Sequence, residues 1–283
     1  ATTLTLDWSV FQRHWQCLFH PLVITKIYMT KFIRAVALDL DGTIIGPDEQ
    51  ISSGTAKAVS RLAKLVPVFI NTGRERWEVK RYGTELGLTS PQVCDNGAVI
   101  IDPLSNWEPL WHALLGSEIT TKVLEKIQRE RLSFIATSGR ESVQDISMAL
   151  GREFARISVL DVKEDQADKI MTALSATTEI QVAKAWLPYN ELWAVDCTKV
   201  GVDKGSAVRK VGNLLSIGTR HMACVGDSYN DLPMFRECGL SISIGDAPKS
   251  VKEEADFVVA PVTDGGLIEA IKDIISPRLE IGC

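Results

Sequence analysis

Long apolar runs, an excess of basic charge and closely spaced cysteines are all missing from this chain. No apolar stretch approaches the ~18 residues that a membrane-spanning helix needs, so no membrane segment is expected. Thirty-one Lys and Arg stand against 36 Asp and Glu, a formal charge of −5. A nucleic-acid surface would need the opposite balance. The six cysteines, at 17, 94, 197, 224, 238 and 283, include no Cys-x-x-Cys pair. That scatter fits neither a zinc site nor a disulfide framework; it predicts reduced, partly buried thiols in a cytoplasmic protein. Histidine is scarce, and His14, His20, His112 and His221 stand apart from every polar motif named below. No His-Ser or His-Cys pair is therefore at hand to activate a nucleophile in those motifs. Internal repeats and low-complexity tracts are absent, and no obligate protein partner is evident.

What is present is a globular composition, 45% hydrophobic and 24% charged over 283 residues, enough for one large domain or two smaller ones. Residues 1–30 read as an N-terminal extension. Trp8, Phe11, Trp15, Leu18 and Phe19 are interrupted by Asp7, Arg13, His14 and Pro21, without the basic start and unbroken apolar core of a secretory signal. Met29 directly precedes the first strand and is read as a natural start. The alternative is a docking helix with Trp8, Phe11 and Trp15 as its stripe, a loose fit to helical spacing.

From residue 32 onward strand and helix patterns alternate, which predicts a parallel sheet with right-handed crossovers. The apolar run Ala35–Leu38 stops at Asp39-Leu40-Asp41-Gly42-Thr43. The run Val66–Ile70 stops at Asn71-Thr72-Gly73-Arg74, and His221–Val225 stops at Gly226-Asp227-Ser228-Tyr229-Asn230-Asp231. Between about 112 and 197 the pattern changes. Strand-like segments near 133–137, 154–160, 178–184 and 191–196, with helices near 117–131, 141–150 and 164–175, predict an inserted α/β unit with its own mixed sheet. Trp186 and Trp193 are expected in that unit's core.

Residues 39 and 41 can project to one side where a strand ends, and in open parallel sheets ligands bind at that edge. Asp41-Gly42 alone would equally serve as a hairpin turn. Two carboxylates so close repel, and a cation between them removes the repulsion. Asp39 and Asp227 offer hard oxygen donors that suit Mg²⁺. Thr72 and the amide of Gly73 offer neutral donors, and Lys204 adds positive charge at a helix start. Cation, lysine and free amides together describe a site for a phosphoryl group, and an aspartate can itself attack phosphorus.

In order and spacing these residues resemble the haloacid dehalogenase-like phosphatases, specifically the Cof-type group with a large α/β cap. Asp39–Thr43 is similar to the family's first motif and Asn71–Arg74 to its second. Val202-Asp203-Lys204-Gly205 is similar to the lysine motif, and Gly226–Asp231 to the Gly-Asp-x-x-Asn-Asp motif. Asn96-Gly97 looks like the Asn-Gly before the cap, and Gly245-Asp246-Ala247-Pro248 like the C-terminal loop, with Asp246 where Asn is usual. The likeness spans residues 31–275. It implies a Rossmann-like parallel core over 31–111 and 198–283, with an inserted α/β cap over 112–197. The implied activity is Mg²⁺-dependent hydrolysis of a small phosphorylated metabolite, a sugar phosphate, through an aspartyl-phosphate. The resemblance makes Asp39 the nucleophile and Asp41 the acid/base, with Thr72, Gly73, Lys204 and Asn230 on the phosphate. It places Mg²⁺ on Asp39, the backbone carbonyl of Asp41, Asp227 and Asp231. Gly42, Arg74, Asn96 and Arg140 are the expected substrate contacts. A phosphomutase with the same intermediate and a non-catalytic sensor of phosphorylated ligands are the alternatives.

Overall fold

The computed structural model describes residues 32–187 and 190–280. The extension over 1–30, with its docking-helix alternative, lies outside the described residues. No helix among the described residues is long and apolar enough to cross a membrane.

The first strand, β1 (Ala35–Leu38), is buried along its whole length. Its side chains alternate between two apolar clusters, Val36 and Leu38 on one side of the sheet, Ala35 and Ala37 on the other. Two helices cover the first side: α1 (Ser53–Leu62) with Val59 and Leu62, and α2 (Arg76–Leu86) with Val79 and Leu86. Between them runs β2 (Val68–Ile70). Ser52 caps α1 by accepting from the Thr55 amide, as the Ser52-Ser53 pair predicts. The strand predicted from Val66 starts two residues later: Pro67 has no N–H to give to a ladder, although its carbonyl still accepts from Val36. Strand β3 (Gln92–Cys94) leads into an antiparallel pair, β4 (Val99–Asp102) and β5 (Glu108–His112).

The next segment is α3 (Ser117–Glu130), β6 (Phe134–Thr137), β7 (Ser142–Val143), α4 (Ile146–Ala149), β8 (Arg156–Val162), α5 (Glu164–Ser175), β9 (Ile180–Leu187) and β10 (Leu192–Lys199). These strands form one sheet in the order β7-β6-β8-β10-β9, antiparallel at every pairing, not mixed as expected. Helices α3 and α5 pack on one face, through Val123, Leu124 and Ile127 and through Ala167, Ile170 and Leu174. The helix expected over 141–150 is a correction. Gly139, at φ +77°, turns the chain back so that Ser142–Val143 pairs with β6, and the helix begins only where Asp145 caps Ser147.

After β10 the chain returns to the first sheet through α6 (Lys204–Leu215), β11 (Met222–Gly226), α7 (Leu232–Glu237), β12 (Leu240–Ser243), α8 (Lys249–Glu253) and β13 (Phe257–Val258). The parallel order is β13-β12-β11-β1-β2. Helices α6, α7 and α8 cover the second face through Val208, Val211, Phe235 and Val251. Strand β1 is therefore central, with β2 and β11 on either side, and the three polar strand ends lie next to one another.

Candidate active site

Because β1, β2 and β11 are neighbours, Asp39, Thr72 and Asp227 meet at one edge of the sheet. The first turn of α6 delivers Lys204 there. Its ammonium is fully buried and donates to Asp39 Oδ1 at 2.6 Å and to Asp231 Oδ1 at 2.7 Å. Asp231 Oδ2 accepts from the amides of Asp227 and Ser228, both at 2.9 Å, which fixes the loop after β11. The Thr43 hydroxyl reaches Asp227 Oδ1 at 3.5 Å.

Two glycines let these segments close up. Gly42 has φ +71°, and a Cβ there would stand 2.4 Å from Asp227 Oδ2. Gly97 has φ +95°, and a Cβ would stand 2.3 Å from the Asp203 carbonyl, at the start of α6. Asp95 and Asn96 also adopt positive φ. Their amides donate to the carbonyls of Arg74 and Thr72, so the 95–97 turn joins the end of β2 to the helix carrying Lys204. A turn held this far from ordinary geometry needs such surroundings.

Carboxylate oxygens of Asp39, Asp227 and Asp231 all lie within 4.8 Å of one another. Burial, and next the Asp231 charge, push Asp39 up to about 7 against the pull of Lys204. Loss of water and the charges on Asp39 and Asp231 hold Asp227 well above the usual carboxylate range. Burial works against the charge on Lys204, but Asp231 and Asp39 outweigh it and keep the ammonium above its ordinary value. A trio of oxygens that repel one another fits a hard divalent cation, and Asn230 Oδ1, one residue before Asp231 in the chain, is buried with no protein partner.

The remaining expected residues are placed unevenly. Arg74 binds Asp41 through Nη2 at 2.6 Å and Nε at 3.0 Å, and also bonds Glu49 and Glu78. The Asp41 side chain thus faces Arg74 and stands outside the carboxylate trio. Thr72 and Gly73 line the cavity, and the Thr72 hydroxyl accepts from the Arg74 amide. Asn230 donates to Asn96 Oδ1 at 3.4 Å, which puts Asn96 behind the cavity wall, not in it. Arg140 is exposed in the turn between β6 and β7 and does not line the cavity, contrary to its expected place at the leaving group.

The cavity above Asp39 has a volume of about 720 Å³, and its far wall is the antiparallel sheet. Alternation decides which side chains face it. Ile157, Val159, Val195 and Cys197 pack under α3 and α5, so Arg156, Ser158, Leu160, Ala194 and Asp196 face the opening. Arg156 pairs with Asp196 at 3.0 Å and with Asp95 of the 95–97 turn at 3.4 Å. Asp196 Oδ1 also accepts from Ser158 at 2.5 Å, and Asp95 from Thr137 at 2.8 Å. Burial raises Asp95 to about 6 even with Arg156 beside it. None of this cluster is anticipated by the sequence reading. Trp186 is a further correction. It is 37% exposed and lines the cavity, whereas Trp193 packs in the cap cluster and touches the cavity as well.

A family profile described as haloacid dehalogenase-like hydrolase matches residues 36–271. The chain belongs to that family. The 5-amino-6-(5-phospho-D-ribitylamino)uracil phosphatase of Bacillus subtilis is 26% identical over 250 residues, 85% of this chain and 95% of that one. A phosphoglycolate phosphatase of Archaeoglobus fulgidus is 26% identical over 242 residues, 84% and 96% of the two chains. A solved HAD/COF-like hydrolase of Plasmodium vivax superposes with a TM-score of 0.76 at 17% identity, covering 90% of this chain and 99% of that one. The parallel sheet is thus the core of a haloacid dehalogenase-like fold and the antiparallel sheet its cap, and the enzyme is a phosphoric monoester hydrolase of this type.

Proposed function

We propose that this haloacid dehalogenase-like phosphatase hydrolyses a small phosphorylated metabolite, a sugar phosphate, by way of a phosphoryl group carried on Asp39. The observation that carries the reading is the convergence of Asp39, Lys204, Asp227 and Asp231 from three separate stretches of chain. In the first half-reaction an Asp39 carboxylate oxygen attacks phosphorus, the bond to the leaving oxygen breaks, and Asp41 gives that oxygen a proton. In the second, water attacks the same phosphorus, Asp41 takes its proton, and the Asp39 carboxylate is released with inorganic phosphate.

The Lys204 ammonium holds Asp39 Oδ1 in place and balances the trio's charge, leaving Oδ2 of Asp39 for the attack. Thr72 and Gly73, at the neighbouring strand end, donate to phosphoryl oxygens. Arg74 positions Asp41, whose Oδ2 carries one bond from Nε while Oδ1 carries two. When bound, Mg²⁺ on Asp39, Asp227, Asp231 and the main-chain carbonyl of Asp41 supplies the positive charge that lets one anion approach another. The core is assigned to 31–111 and 198–283 and the cap to 112–197, with the cap sheet excluding water from the cavity. The setting proposed is cytoplasmic, without an obligate protein partner.

The test is phosphate release from a panel of phosphorylated metabolites with Mg²⁺, by the wild type and by Asp39→Asn. Release by the wild type and none by the variant is expected. Isomerised substrate without free phosphate would point to a mutase, and equal turnover by Asp39→Asn would remove the nucleophile.

A further inference from the structure

The cap sheet turns one set of side chains toward the floor of the cavity. Along β10, Val195 and Cys197 pack in the cap cluster, so Asp196 between them faces the other way, opposite Ser158 of β8 and Ala183 of β9. Among the cap side chains that line the cavity, Arg156, Ser158 and Asp196 are the ones carrying a charge or a hydroxyl. Their bonds occupy one half of the Asp196 carboxylate. Arg156 Nη1 donates to Oδ1 at 3.0 Å, and the Ser158 hydroxyl donates to the same oxygen at 2.5 Å. Asp196 Oδ2 accepts from no described residue, and unlike Asp95 Oδ2 it is not sealed off from the opening.

That oxygen stands over the phosphoryl site. A Cβ on Gly73, whose amide the mechanism above gives to the phosphoryl group, would lie 3.4 Å from Asp196 Oδ2. The carboxylate is also held there. Ser158 bonds it from the next strand, and Arg156 is itself tied to Asp95 of the 95–97 turn at 3.4 Å. A fixed acceptor so close to the phosphoryl site meets the first atoms of the alcohol beyond the ester. An alkyl group there would take water from a charged oxygen and leave it without a partner. A second anion would face its charge. A hydroxyl supplies the missing donor, and in a polyol ester the hydroxyl nearest phosphorus is on the carbon next to the ester carbon. Beyond Asp196 the same wall offers Ala185, Ala194 and Leu160, whose side chains make no hydrogen bond.

We propose that the alcohol released by this enzyme carries a hydroxyl on the carbon next to the ester carbon, and that Asp196 selects it by accepting its hydrogen bond through Oδ2. The inference rests on the phosphatase reading above and narrows its substrate. A hydrogen bond to a charged acceptor is worth roughly ten-fold to a hundred-fold in affinity, and an acceptor that opens on water takes the lower end.

Three matched esters test this: 2-hydroxyethyl, 2-fluoroethyl and ethyl phosphate. Fluorine withdraws electrons as the hydroxyl does but has no proton to donate, so an effect of the leaving group alone would be shared by the first two. With wild-type enzyme and Mg²⁺, kcat/KM should favour the hydroxyethyl ester over both others by about ten-fold. Asp196→Ala should bring both ratios close to one. Asp196→Asn can keep Arg156 and Ser158 on its amide oxygen while its nitrogen replaces Oδ2, and should bring the ratios to about three-fold, the worth of a neutral hydrogen bond. No preference in wild type, or a loss in the variants shared equally by all three esters, overturns the proposal. Faster turnover of 2-phosphoglycolate, whose carboxylate takes the hydroxyl's place, overturns it as well. The dissociation constants of the three esters on Asp39→Asn, read by calorimetry, keep the two readings apart. Tighter binding of the hydroxyethyl ester there, with no hydrolysis by wild type, would sink the phosphatase reading and leave the hydroxyl preference standing. Hydrolysis of all three by wild type without any difference in binding would do the reverse.

Discussion

The floor and the wall of one cavity are built on opposite plans. The floor gathers Asp39, Thr72 and Asp227 at adjacent ends of parallel strands, where each polar group follows an apolar run. The wall takes every second residue of antiparallel strands, so Arg156, Ser158 and Asp196 alternate with buried Ile157, Val159 and Val195. The floor's carboxylates repel one another and cost stability. The wall's Arg156 binds two carboxylates and fastens the cap to the 95–97 turn. The contrast teaches that chemistry and cohesion are assigned to different buried charges only a few residues from the same opening.

Substitutions should separate the two. Asp39→Asn should lower kcat by a factor on the order of 10⁴ or more, as loss of a nucleophile does. Thermal unfolding in chelator should show it no less stable than wild type, because a buried like charge has been removed. A melting temperature well below wild type would break the comparison. Lys204→Met should lower kcat by roughly 10²–10³, and here stability should fall too, since Asp39 and Asp231 lose their shared cation. Arg156→Met leaves Asp95 and Asp196 unpaired inside the protein and should cost about 3–5 kcal/mol in denaturant unfolding. A change under ~1 kcal/mol would mean the cap is held elsewhere.

Both regions also predict a pH dependence, with one sign and different remedies. Asp39 at about 7 and Asp95 at about 6 sit above the ordinary carboxylate value. In the folded state they hold protons that the unfolded chain gives up, so stability falls as pH rises from about 4 to about 7, by a few kcal/mol. Mg²⁺ should restore the part owed to Asp39, and Asp95→Asn the part owed to Asp95. Equal rescue of both by Mg²⁺ would contradict the separation. The smallest effect belongs to Arg140→Ala: exposed and outside the cavity, it should leave kcat/KM within about two-fold, the size of an ordinary surface change.

The floor was legible in the sequence because its signals are local. An apolar run that ends in Asp-x-Asp-Gly-Thr, Asn-Thr-Gly-Arg or Gly-Asp-x-x-Asn-Asp can be read without knowing the partner strand. The wall was not, because Arg156, Ser158 and Asp196 look like the solvent face of half-buried strands until a second sheet is set against them. Asp95 was hidden for a related reason, its meaning fixed by Arg156, 61 residues away in the cap. Arg140 follows Gly139 in a loop, which in sequence alone makes it a candidate to meet the leaving group, and the turn at Gly139 carries it outward. The helix expected over 141–150 failed at the same turn, where Ser142 and Val143 gain ladder bonds to β6 that a helix would forgo.

The central claim is that Asp39, held by Lys204, receives the phosphoryl group. Rapid acid quench during turnover, followed by mass spectrometry of the peptides, tests it directly. A transient peptide containing residue 39, heavier by one phosphoryl group and missing in Asp39→Asn, is expected. Steady phosphate release with that peptide unmodified at every quench time, or with the phosphoryl group on another side chain, would contradict it.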